Sequence, residues 1–437
     1  MLKRLSLTNV GPAPQMEMDL APRLNLITGD NGLGKSFLLD AAWWSLTRRW
    51  PYEVNHNMTS GYMARPRDRE KSATIEFKLT SKTKKDVEYI SKFSPRDDAW
   101  KGSAGRPWNP GLVIYAHADG GFSVWDPARN YWLQKGGVDI QERLPAFVFS
   151  PSEVWEGLRV DINGKSTLVC NGLISDWAGW IKEKGKSAER MELVLALLSP
   201  TTNPKDRLRV GGLTRLGVNE ARDIPTLKMP YGVDVPILHA SSGVRRITAL
   251  AYMLLWSWQE HILAAKYLGE ARAKQVIVLV DEIEAHLHPK WQRTILKALL
   301  KLAKQMHSKA TLQLIAATHS PLILASAEPE FDSEQDAWFD LDFEQNQGES
   351  KIYLRKRDFY RHGDVSKWLT SEAFDLKEAR SIEAEIALSE AMNLLRQNRV
   401  SKKDVLAVDE KLKAVLGDTD RFWVRWAENK KRLGVKG

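Results

Sequence analysis

Apolar residues with two kinds of spacing divide the chain into predicted strands and helices. Alternating or continuous apolar runs predict strands at residues 2–10, 23–28, 73–80, 87–93, 112–116, 146–150, 276–280, 312–317, 339–343 and 351–354. Helical spacing predicts helices at residues 37–46, 171–184, 188–199 and 243–265, near Pro289, and over most of the chain from about residue 362. In the second half of the chain, apolar strands alternate with helices, which is typical of a largely parallel sheet. The pattern therefore predicts an α/β fold.

Length and composition are those of an ordinary globular protein. The 437 residues predict two or three domains. Hydrophobic residues make up 43% and charged residues 27% of the chain, and no apolar run approaches the roughly 18 residues that a membrane helix needs. The single cysteine, Cys170, excludes an intrachain disulfide framework and a cysteine-rich metal site. We therefore expect a cytoplasmic protein with no membrane partner.

The chain is basic, but its basic residues are scattered. Lysine and arginine outnumber aspartate and glutamate by 64 to 55, which gives a formal net charge of +9. This charge permits contact with nucleic acid without demonstrating it. A local cluster at Arg65, Arg67, Arg69 and Lys71 is interleaved with acids, and a solvated surface is the more usual interpretation of such a cluster. The charge leaves DNA binding open.

The strongest local motif is GDNGLGKS, at residues 29–36, between a predicted strand and a predicted helix. It fits the phosphate-binding pattern GxxxxGK[ST], in which glycines let backbone N–H groups point at phosphate oxygens. In this pattern the lysine reaches the β- and γ-phosphates and the hydroxyl residue binds Mg²⁺. A glycine turn with a chance lysine is the alternative, and the flanking strand and helix disfavour it. The candidate ATP-binding residues here are Gly29, Asn31, Gly32, Gly34, Lys35, Ser36 and Phe37.

A second motif, VIVLVDEIEAHLHP, covers residues 276–289. Its apolar strand delivers Asp281 and Glu282 to the carboxyl end, where α/β sheets bind ligands. Asp281 is a candidate ligand of Mg²⁺, and Glu282 is a candidate base that orients or deprotonates the attacking water. Two acids at a strand end are common by themselves. The phosphate-binding motif upstream makes the catalytic interpretation the stronger one.

A third motif, Thr318-His319-Ser320, directly follows the apolar strand predicted at residues 312–317. A histidine in this position can donate a hydrogen bond to a γ-phosphate. A lone histidine at a strand end usually has only a structural role. Its order behind the other two motifs favours a catalytic role for His319.

A fourth motif, at residues 240–254, opens a long predicted helix with Ser241, Ser242 and Gly243. Small hydroxyl residues at a helix start make a second phosphate-binding N-terminus. Two such elements far apart in one chain indicate composite sites, in which a two-fold dimer places each turn over the partner's ATP. The alternative is an ordinary capped helix.

These four motifs, in this order, resemble those of the ABC-type ATPase heads of RecF, the SMC proteins and the OLD-family ATPases. The resemblance makes residues 29–36 Walker A, residues 276–282 Walker B and His319 the switch histidine. Ser241 to Gly243 stand for the signature motif, with Ser242 in place of its first glycine. It implies an ATPase that uses ATP and Mg²⁺, with Lys35, Glu282 and His319 as catalytic residues.

The same resemblance implies a head with a mixed sheet, an inserted helical subdomain and a helical C-terminal tail. The expected parts are residues 1–150 with Walker A, residues 151–240 as the insertion, residues 241–360 with the other motifs, and residues 361–437 as the tail. The short, proline-rich insertion leaves no room for the coiled-coil arm of SMC proteins.

Within this class, the segments NGLISDWAGW, DIPTLKMPYGVDVPIL and DTDRFWVRW resemble stand-alone ATPases of bacterial anti-phage systems. These include the Septu ATPase PtuA, which works with an HNH nuclease, and ATPases that accompany retrons. OLD nucleases carry a C-terminal TOPRIM domain. Here the DxD motif formed by Asp340 and Asp342 lies in a predicted strand, whose period of two explains the spacing. We expect no intrinsic nuclease activity.

Three functions remain in competition. The first is an ATP-dependent homodimer, or larger homo-oligomer, that controls a separate nuclease effector of the HNH type in anti-phage defence. The second is a RecF-like repair clamp that closes on duplex DNA. The third, a transporter ATPase subunit, is disfavoured because such domains are shorter and carry a Q-loop glutamine, which the segment FSPSEVW at residues 149–155 lacks.

Overall fold

The computed structural model describes residues 1–432 except residues 84, 103–107, 132–142, 163, 200–202, 204–206, 307–309, 347–348, 375 and 398–399. The chain forms two compact units, Met1–Arg361 and His362–Gly437. The predicted division of the first 360 residues into three parts stays a prediction. Residues 347 and 348, between the strands predicted at residues 339–343 and 351–354, lie outside the described residues.

The larger unit contains all the strands of the described chain. The strands are β1 (Leu2–Thr8), β2 (Gln15–Asp19), β3 (Leu24–Gly29), β4 (Thr74–Thr80), β5 (Asp86–Ser94), β6 (Ala99–Trp100), β7 (Leu112–Ala116), β8 (Phe122–Trp125), β9 (Phe147–Phe149), β10 (Leu158–Ile162), β11 (Lys165–Cys170), β12 (Arg209–Thr214), β13 (Ile224–Lys228), β14 (Asp234–Pro236), β15 (Gln275–Val280), β16 (Thr311–Ala317), β17 (Asp336–Asn346) and β18 (Glu349–Arg357). The helices of this unit are α1 (Lys35–Thr47), α2 (Pro51–Val54), α3 (Pro151–Glu156), α4 (Gly172–Glu183), α5 (Lys186–Leu198), α6 (Ser242–Tyr267), α7 (Pro289–Met306) and α8 (Pro321–Ala327).

The main sheet has eight strands in the order β18-β17-β3-β16-β15-β7-β8-β9. The five strands from β17 to β7 are parallel, and β18, β8 and β9 continue the sheet antiparallel at its edges. The parallel strands are almost entirely buried, because crossover helices cover both faces of such a sheet. The predicted α/β fold with a mixed sheet is confirmed.

A second, antiparallel sheet has the order β2-β1-β4-β5-β6. Along its strands, apolar residues on the inner face alternate with polar residues on the outer face. In β4, for example, Ile75, Phe77 and Leu79 are buried. These side chains share one hydrophobic core with Trp43 and Trp44 of α1 and with the main sheet. The helix that follows the phosphate-binding loop is therefore packed between the two sheets.

The region from β10 to β14 contains more strand than its sequence predicts. Helices α4 and α5 lie where helices are predicted, but β10-β11 and β12-β13-β14 form two small antiparallel sheets as well. Strands β10 and β12 are short and half-exposed, so they lack the apolar runs by which longer strands are recognised. The insertion is helical with added strands.

The smaller unit is helical, as predicted for the tail. Its helices are α9 (Val365–Leu369), α10 (Ile382–Arg396), α11 (Lys402–Val415) and α12 (Phe422–Arg432). Leu388, Val405, Leu412 and Trp426 lie in its hydrophobic core. In the described chain, no helix combines the length and the apolar character needed to cross a membrane.

Candidate nucleotide-binding site

Three neighbouring parallel strands end at one edge of the main sheet and carry three of the predicted motifs. In the order β3-β16-β15, the phosphate-binding loop follows β3, His319 follows β16, and Asp281 and Glu282 follow β15. Backbone hydrogen bonds continue just beyond the strands, from Ile283 N to Ala317 O (3.2 Å) and from Thr318 N to Ile27 O (3.0 Å). The histidine segment therefore lies between the phosphate-binding loop and the acidic pair.

The phosphate-binding loop has the backbone that the glycine pattern predicts. Gly34, at the start of α1, has a φ of +104°, and a Cβ there would lie 2.6 Å from Cγ of Pro12, so only glycine fits. The first backbone N–H groups of α1 have no acceptor within the helix and can bind an anion. Asn31 and Ser36 are exposed. The Phe37 ring packs against Gly11, which leaves only the backbone N–H of Phe37 for a phosphate.

Lys35 is buried and folds back onto its own loop. Its Nζ donates to the carbonyl oxygens of Gly29 (2.7 Å) and Asp30 (2.8 Å). Burial lowers the pKa of Lys35, and the charge of Asp281 opposes this change most strongly. The ammonium group therefore lies in the loop interior, beside carboxylates, where a polyphosphate would replace the carbonyl contacts.

Asp281 and Ser36 have the chemistry that a magnesium ion prefers. Oδ1 of Asp281 is buried and has no hydrogen-bond partner among the described residues. Burial raises the pKa of Asp281, while the Ser36 hydroxyl and the Lys35 charge lower it. A buried carboxylate oxygen without a donor is unfavourable unless a cation or water binds it. Oxygen ligands of this kind fit Mg²⁺.

Glu282 has a strained backbone at the end of β15. Its φ is +46°, in the left-handed region that residues other than glycine seldom adopt. Such strain costs on the order of 1–3 kcal/mol and is concentrated at functional sites. The side chain is half-buried, and its charge acts on both Lys35 and His319. The strained turn directs this carboxylate toward the same edge as the phosphate-binding loop.

His319 is half-buried between two buried neighbours, Thr318 and Ser320. Burial lowers the pKa of His319, and the Lys35 charge lowers it further, against the opposing effects of Glu282 and Asp30. A pKa below the usual 6.5 makes the imidazole neutral at pH 7, able to donate one hydrogen bond and accept another.

Glu284 belongs to the candidate site, although no role was predicted for it from the sequence. Its carboxylate accepts hydrogen bonds from the Thr318 hydroxyl and from the backbone N–H of His319. Burial raises the pKa of Glu284, and these two hydrogen bonds lower it. The only sequence signal was its place in the acidic segment after a strand end.

The predicted signature turn lies at the exposed start of α6, a helix of 26 residues. The Ser241 side chain accepts from the backbone N–H of Val244 (3.5 Å), and both Ser241 and Ser242 are exposed. Gly243 lies against the backbone carbonyl of His286, in the loop that follows Walker B. This contact connects the turn to the acidic motif within one chain.

A half-buried polar group next to the site was also missed by sequence reasoning. Asp40, one helical turn after Ser36 on α1, accepts a hydrogen bond from the Tyr115 hydroxyl (3.0 Å). Burial raises the pKa of Asp40 to about 8, and the hydrogen bond from Tyr115 opposes this rise. On α6, Arg246 donates to the carbonyl oxygen of His117 (2.6 Å). Asp40 and Arg246 are single polar residues inside helices. No sequence pattern distinguishes such residues from polar residues on the surface of a helix.

The fold and this edge of the sheet define a P-loop ATPase domain. The family described as "AAA domain, putative AbiEii toxin, Type IV TA system" matches residues 24–325, more than half of the chain. The chain belongs to this family. Membership implies that it binds ATP, usually together with Mg²⁺, and it places all four motifs inside the family domain.

A curated relative comes from a retron. The chain is 46% identical over 121 residues to the "Retron Vc95 probable ATPase" of Vibrio cholerae serotype O1 biovar El Tor. The match covers 28% of this chain and 22% of that protein. The chain thus spans less than a quarter of the relative's length in this match.

Solved structures that resemble the chain include an SMC head domain and a RecF protein. The SMC head domain from Thermotoga maritima is 15% identical with a TM-score of 0.36, over 80% of this chain and 97% of that chain. The recombination mediator protein RecF is 13% identical with a TM-score of 0.35, over 82% of this chain and 98% of that chain. Because these TM-scores are low, the likeness carries no argument for the fold. The fold assignment rests on the sheet topology of this chain.

Proposed function

We propose that the chain hydrolyses ATP, dimerises around it, and controls a separate nuclease effector in bacterial anti-phage defence. The observation that carries the proposal is the meeting of Lys35, Asp281, Glu282 and His319 at the carboxyl ends of three adjacent strands. The 46% identity to part of a retron ATPase supports the assignment to defence.

Each residue has a role that follows from its place. Lys35 binds the β- and γ-phosphates, and the N–H groups at the start of α1 bind their oxygens. Ser36 and Asp281 would hold Mg²⁺, which when bound neutralises phosphate charge. Glu282 orients or deprotonates the attacking water, and the neutral imidazole of His319 donates to the γ-phosphate.

Dimerisation accounts for the exposed signature turn. Ser241 and Ser242 are exposed to solvent at the start of α6. In a two-fold dimer, this turn would complete the site of the partner chain. ATP would then favour the closed dimer because it binds that state more tightly than the open one.

A separate effector is proposed because the carboxylates of the DxD motif at Asp340 and Asp342 are already used inside the sheet. Asp340 is buried, accepts from the Thr28 hydroxyl (2.6 Å) and pairs with Arg357 (3.5 Å). Asp342 pairs with Arg357 at the same distance and with Arg355 (3.6 Å). These contacts support a structural role, so we assign DNA cleavage to a partner, of the HNH type as in Septu systems with the ATPase PtuA.

A RecF-like clamp on duplex DNA is the alternative. The net charge of +9 favours it, and Arg69 and Lys71 line a surface cleft beside β4 and β5. Binding through such residues would be sequence-independent, and its affinity would fall steeply with rising salt. The defence proposal predicts an effector chain, whereas the clamp needs none.

The test compares Glu282→Gln with Lys35→Ala. With ATP and Mg²⁺, the Glu282→Gln chain should elute as a stable dimer with about one ATP per chain, because it binds ATP but cannot activate water. Lys35→Ala should not bind ATP. In the presence of ATP and Mg²⁺ it should elute at the same size as without nucleotide. Unchanged ATPase rates in both variants would refute the site assignment.

The same Glu282→Gln protein, purified from its native host, identifies the partner. A stoichiometric nuclease chain would support the defence proposal. Duplex DNA recovered without any effector chain would favour the clamp instead. Lys35→Ala purified in parallel is the control, since ATP-dependent partners should be absent from it.

A further inference from the structure

Both oxygens of the Glu284 carboxylate are occupied by the segment that carries His319. The Thr318 hydroxyl donates to Oε2 (2.7 Å), and the backbone N–H of His319 donates to Oε1 (2.5 Å). Glu284 follows β15 and His319 follows β16, so these bonds begin where the strands end. The carboxylate therefore continues the connection between two parallel strands after their regular hydrogen bonds stop.

A second connection holds the other side of the same segment. The Ser320 hydroxyl donates to Oε1 of Gln292 (2.7 Å), and Nε2 of Gln292 donates to the carbonyl oxygen of Leu287 (2.8 Å). Leu287 lies three residues after Glu284 in the loop that follows Walker B. The histidine segment is thus held on both sides of His319, by Glu284 directly and by Gln292 of α7, which is bound in turn to the loop.

The contacts restrict the backbone of His319 and do not involve its ring. Thr318 and Ser320 are 0% and 5% exposed, whereas His319 is half-buried. The Thr318 hydroxyl also accepts from the backbone N–H of Ser320 (3.0 Å), which closes a tight turn around the histidine. Hydrogen bonds to a carboxylate are stronger than those between neutral groups. Removing the carboxylate should therefore release the turn.

We infer that Glu284 is a positioning residue that fixes the backbone of His319 so that its imidazole meets the γ-phosphate of ATP. This inference depends on the proposed function, because the contact between His319 and the phosphate is part of it. Glu284 acts through His319, since both of its oxygens are bound to the histidine segment. It is thereby distinct from Glu282, to which the proposed function assigns the attacking water.

The test is a double-mutant cycle on ATP hydrolysis with Glu284→Ala and His319→Ala in the full-length chain. Glu284→Ala should lower kcat by about 10- to 100-fold, because a displacement of about 1 Å in a catalytic group has an effect of this size. KM and the affinity for a non-hydrolysable ATP analogue should change by less than about threefold. In the His319→Ala background, Glu284→Ala should lower kcat no further.

Two variants separate positioning from folding. Glu284→Gln keeps one acceptor for the His319 N–H and should recover most of kcat. Thr318→Val keeps the shape of the side chain but removes its hydroxyl, and it should lower kcat several-fold with the same dependence on His319. Glu330→Gln is the control, because that carboxylate pairs with Lys297 on the surface of the same unit.

Hydrogen exchange gives a readout that does not depend on turnover. The His319 amide should exchange at least about tenfold faster in Glu284→Ala than in the parent chain, and unchanged exchange would contradict the inference. The inference would also be overturned if the double variant lost kcat by the product of the two single losses. A loss of affinity for the ATP analogue as large as the loss of kcat would overturn it as well. If Glu284→Ala does not fold, the Thr318→Val cycle decides by the same criteria. Equal hydrolysis by the parent chain and Lys35→Ala would instead refute the proposed function.

Discussion

The backbone carbonyl of His286 lies directly over Gly243, where a Cβ on residue 243 would stand 2.5 Å from its oxygen and 3.5 Å from its carbon. Gly243 belongs to the predicted signature turn at the start of α6, and His286 lies in the loop after Walker B with a φ of +62°. The glycine is therefore required for close packing inside one chain, whatever it does at a partner's nucleotide. The signature turn and the loop after Walker B are thus in contact within one chain.

Gly243→Ala should destabilise the larger unit and reduce ATP hydrolysis together. The obstructing atom is backbone, which cannot move aside as a flexible side chain would, and crowding of this kind costs typically about 1–3 kcal/mol. Thermal unfolding and steady-state hydrolysis measure the two effects. Ser242→Ala, at an exposed position in the same turn, is the control and should leave the melting temperature unchanged. Equal melting temperatures for both variants would show that the loop adjusts freely.

Asp281→Asn should raise the Mg²⁺ concentration needed for half-maximal hydrolysis by at least about tenfold. An amide has no negative charge to offer a divalent cation, and Oδ1 of Asp281 has no donor in the described chain to hold it otherwise. Because burial raises the pKa of Asp281, protons should also compete with Mg²⁺ at a higher pH than for an exposed aspartate. Asp30→Asn is the control, since Lys35 contacts the backbone of Asp30 and the side chain is exposed. Identical Mg²⁺ curves for both variants would argue against a metal role.

Asp40 should make the stability of the larger unit decrease as pH rises. Its folded pKa, about 8, is above the model-peptide value of 3.8, so between these values the folded chain retains a proton that the unfolded chain releases. Its contribution is complete below the unfolded pKa and is lost as pH rises through about 8. Asp40→Asn keeps an acceptor for Tyr115 and should flatten the decrease in melting temperature between pH 6 and 9. Asp19→Asn, at an exposed position, is the control and should leave this decrease unchanged. Parallel curves of melting temperature against pH for Asp40→Asn and the parent chain would contradict the proposed effect of Asp40.

The sequence was most informative where one short segment sets its own backbone. Residues 29–36 specify strand, loop and helix start together, because the glycines and the lysine act within eight consecutive residues. The continuous apolar run before Asp281 also predicts a buried strand by itself, because it has no polar face that could be exposed to solvent. These segments carry most of the predicted site residues.

What the sequence could not provide depends on contacts between distant segments. The position of β16 between β3 and β15 brings His319 to the loop, and no local pattern encodes strand order. The hydrogen bond from Thr318 to Glu284 spans 34 residues, and the contact of Gly243 with His286 spans 43. The strands β10 and β12 were missed for another reason, because half-exposed strands have weak alternation.

Asp409→Asn should loosen the helical C-terminal unit selectively. The carboxylate is buried on α11 and accepts from Nε1 of Trp426 (2.8 Å) and from Nζ of Lys430 (2.9 Å), and it pairs with Lys413 (2.9 Å). Burial alone would raise the pKa of Asp409, but these hydrogen bonds outweigh it and lower the pKa to about 2. A depressed pKa means that the stabilisation is present above the unfolded pKa, near 4, and is lost as pH falls toward 2.

The asparagine variant loses the charge at every pH, so its effect should be visible at neutrality. Hydrogen bonds to charged groups contribute about 1.5–3 kcal/mol, and backbone amides of α11 and α12 should exchange faster by a corresponding factor of about 10–100. Amides of the larger unit should exchange as in the parent chain. Glu410→Gln is the matched control, because this neighbouring carboxylate is 73% exposed and pairs only at the surface with Lys413. Equal protection of α11 in the two variants would show that the buried carboxylate contributes nothing, whereas selective loss in Asp409→Asn would locate the stability of the unit at this one side chain.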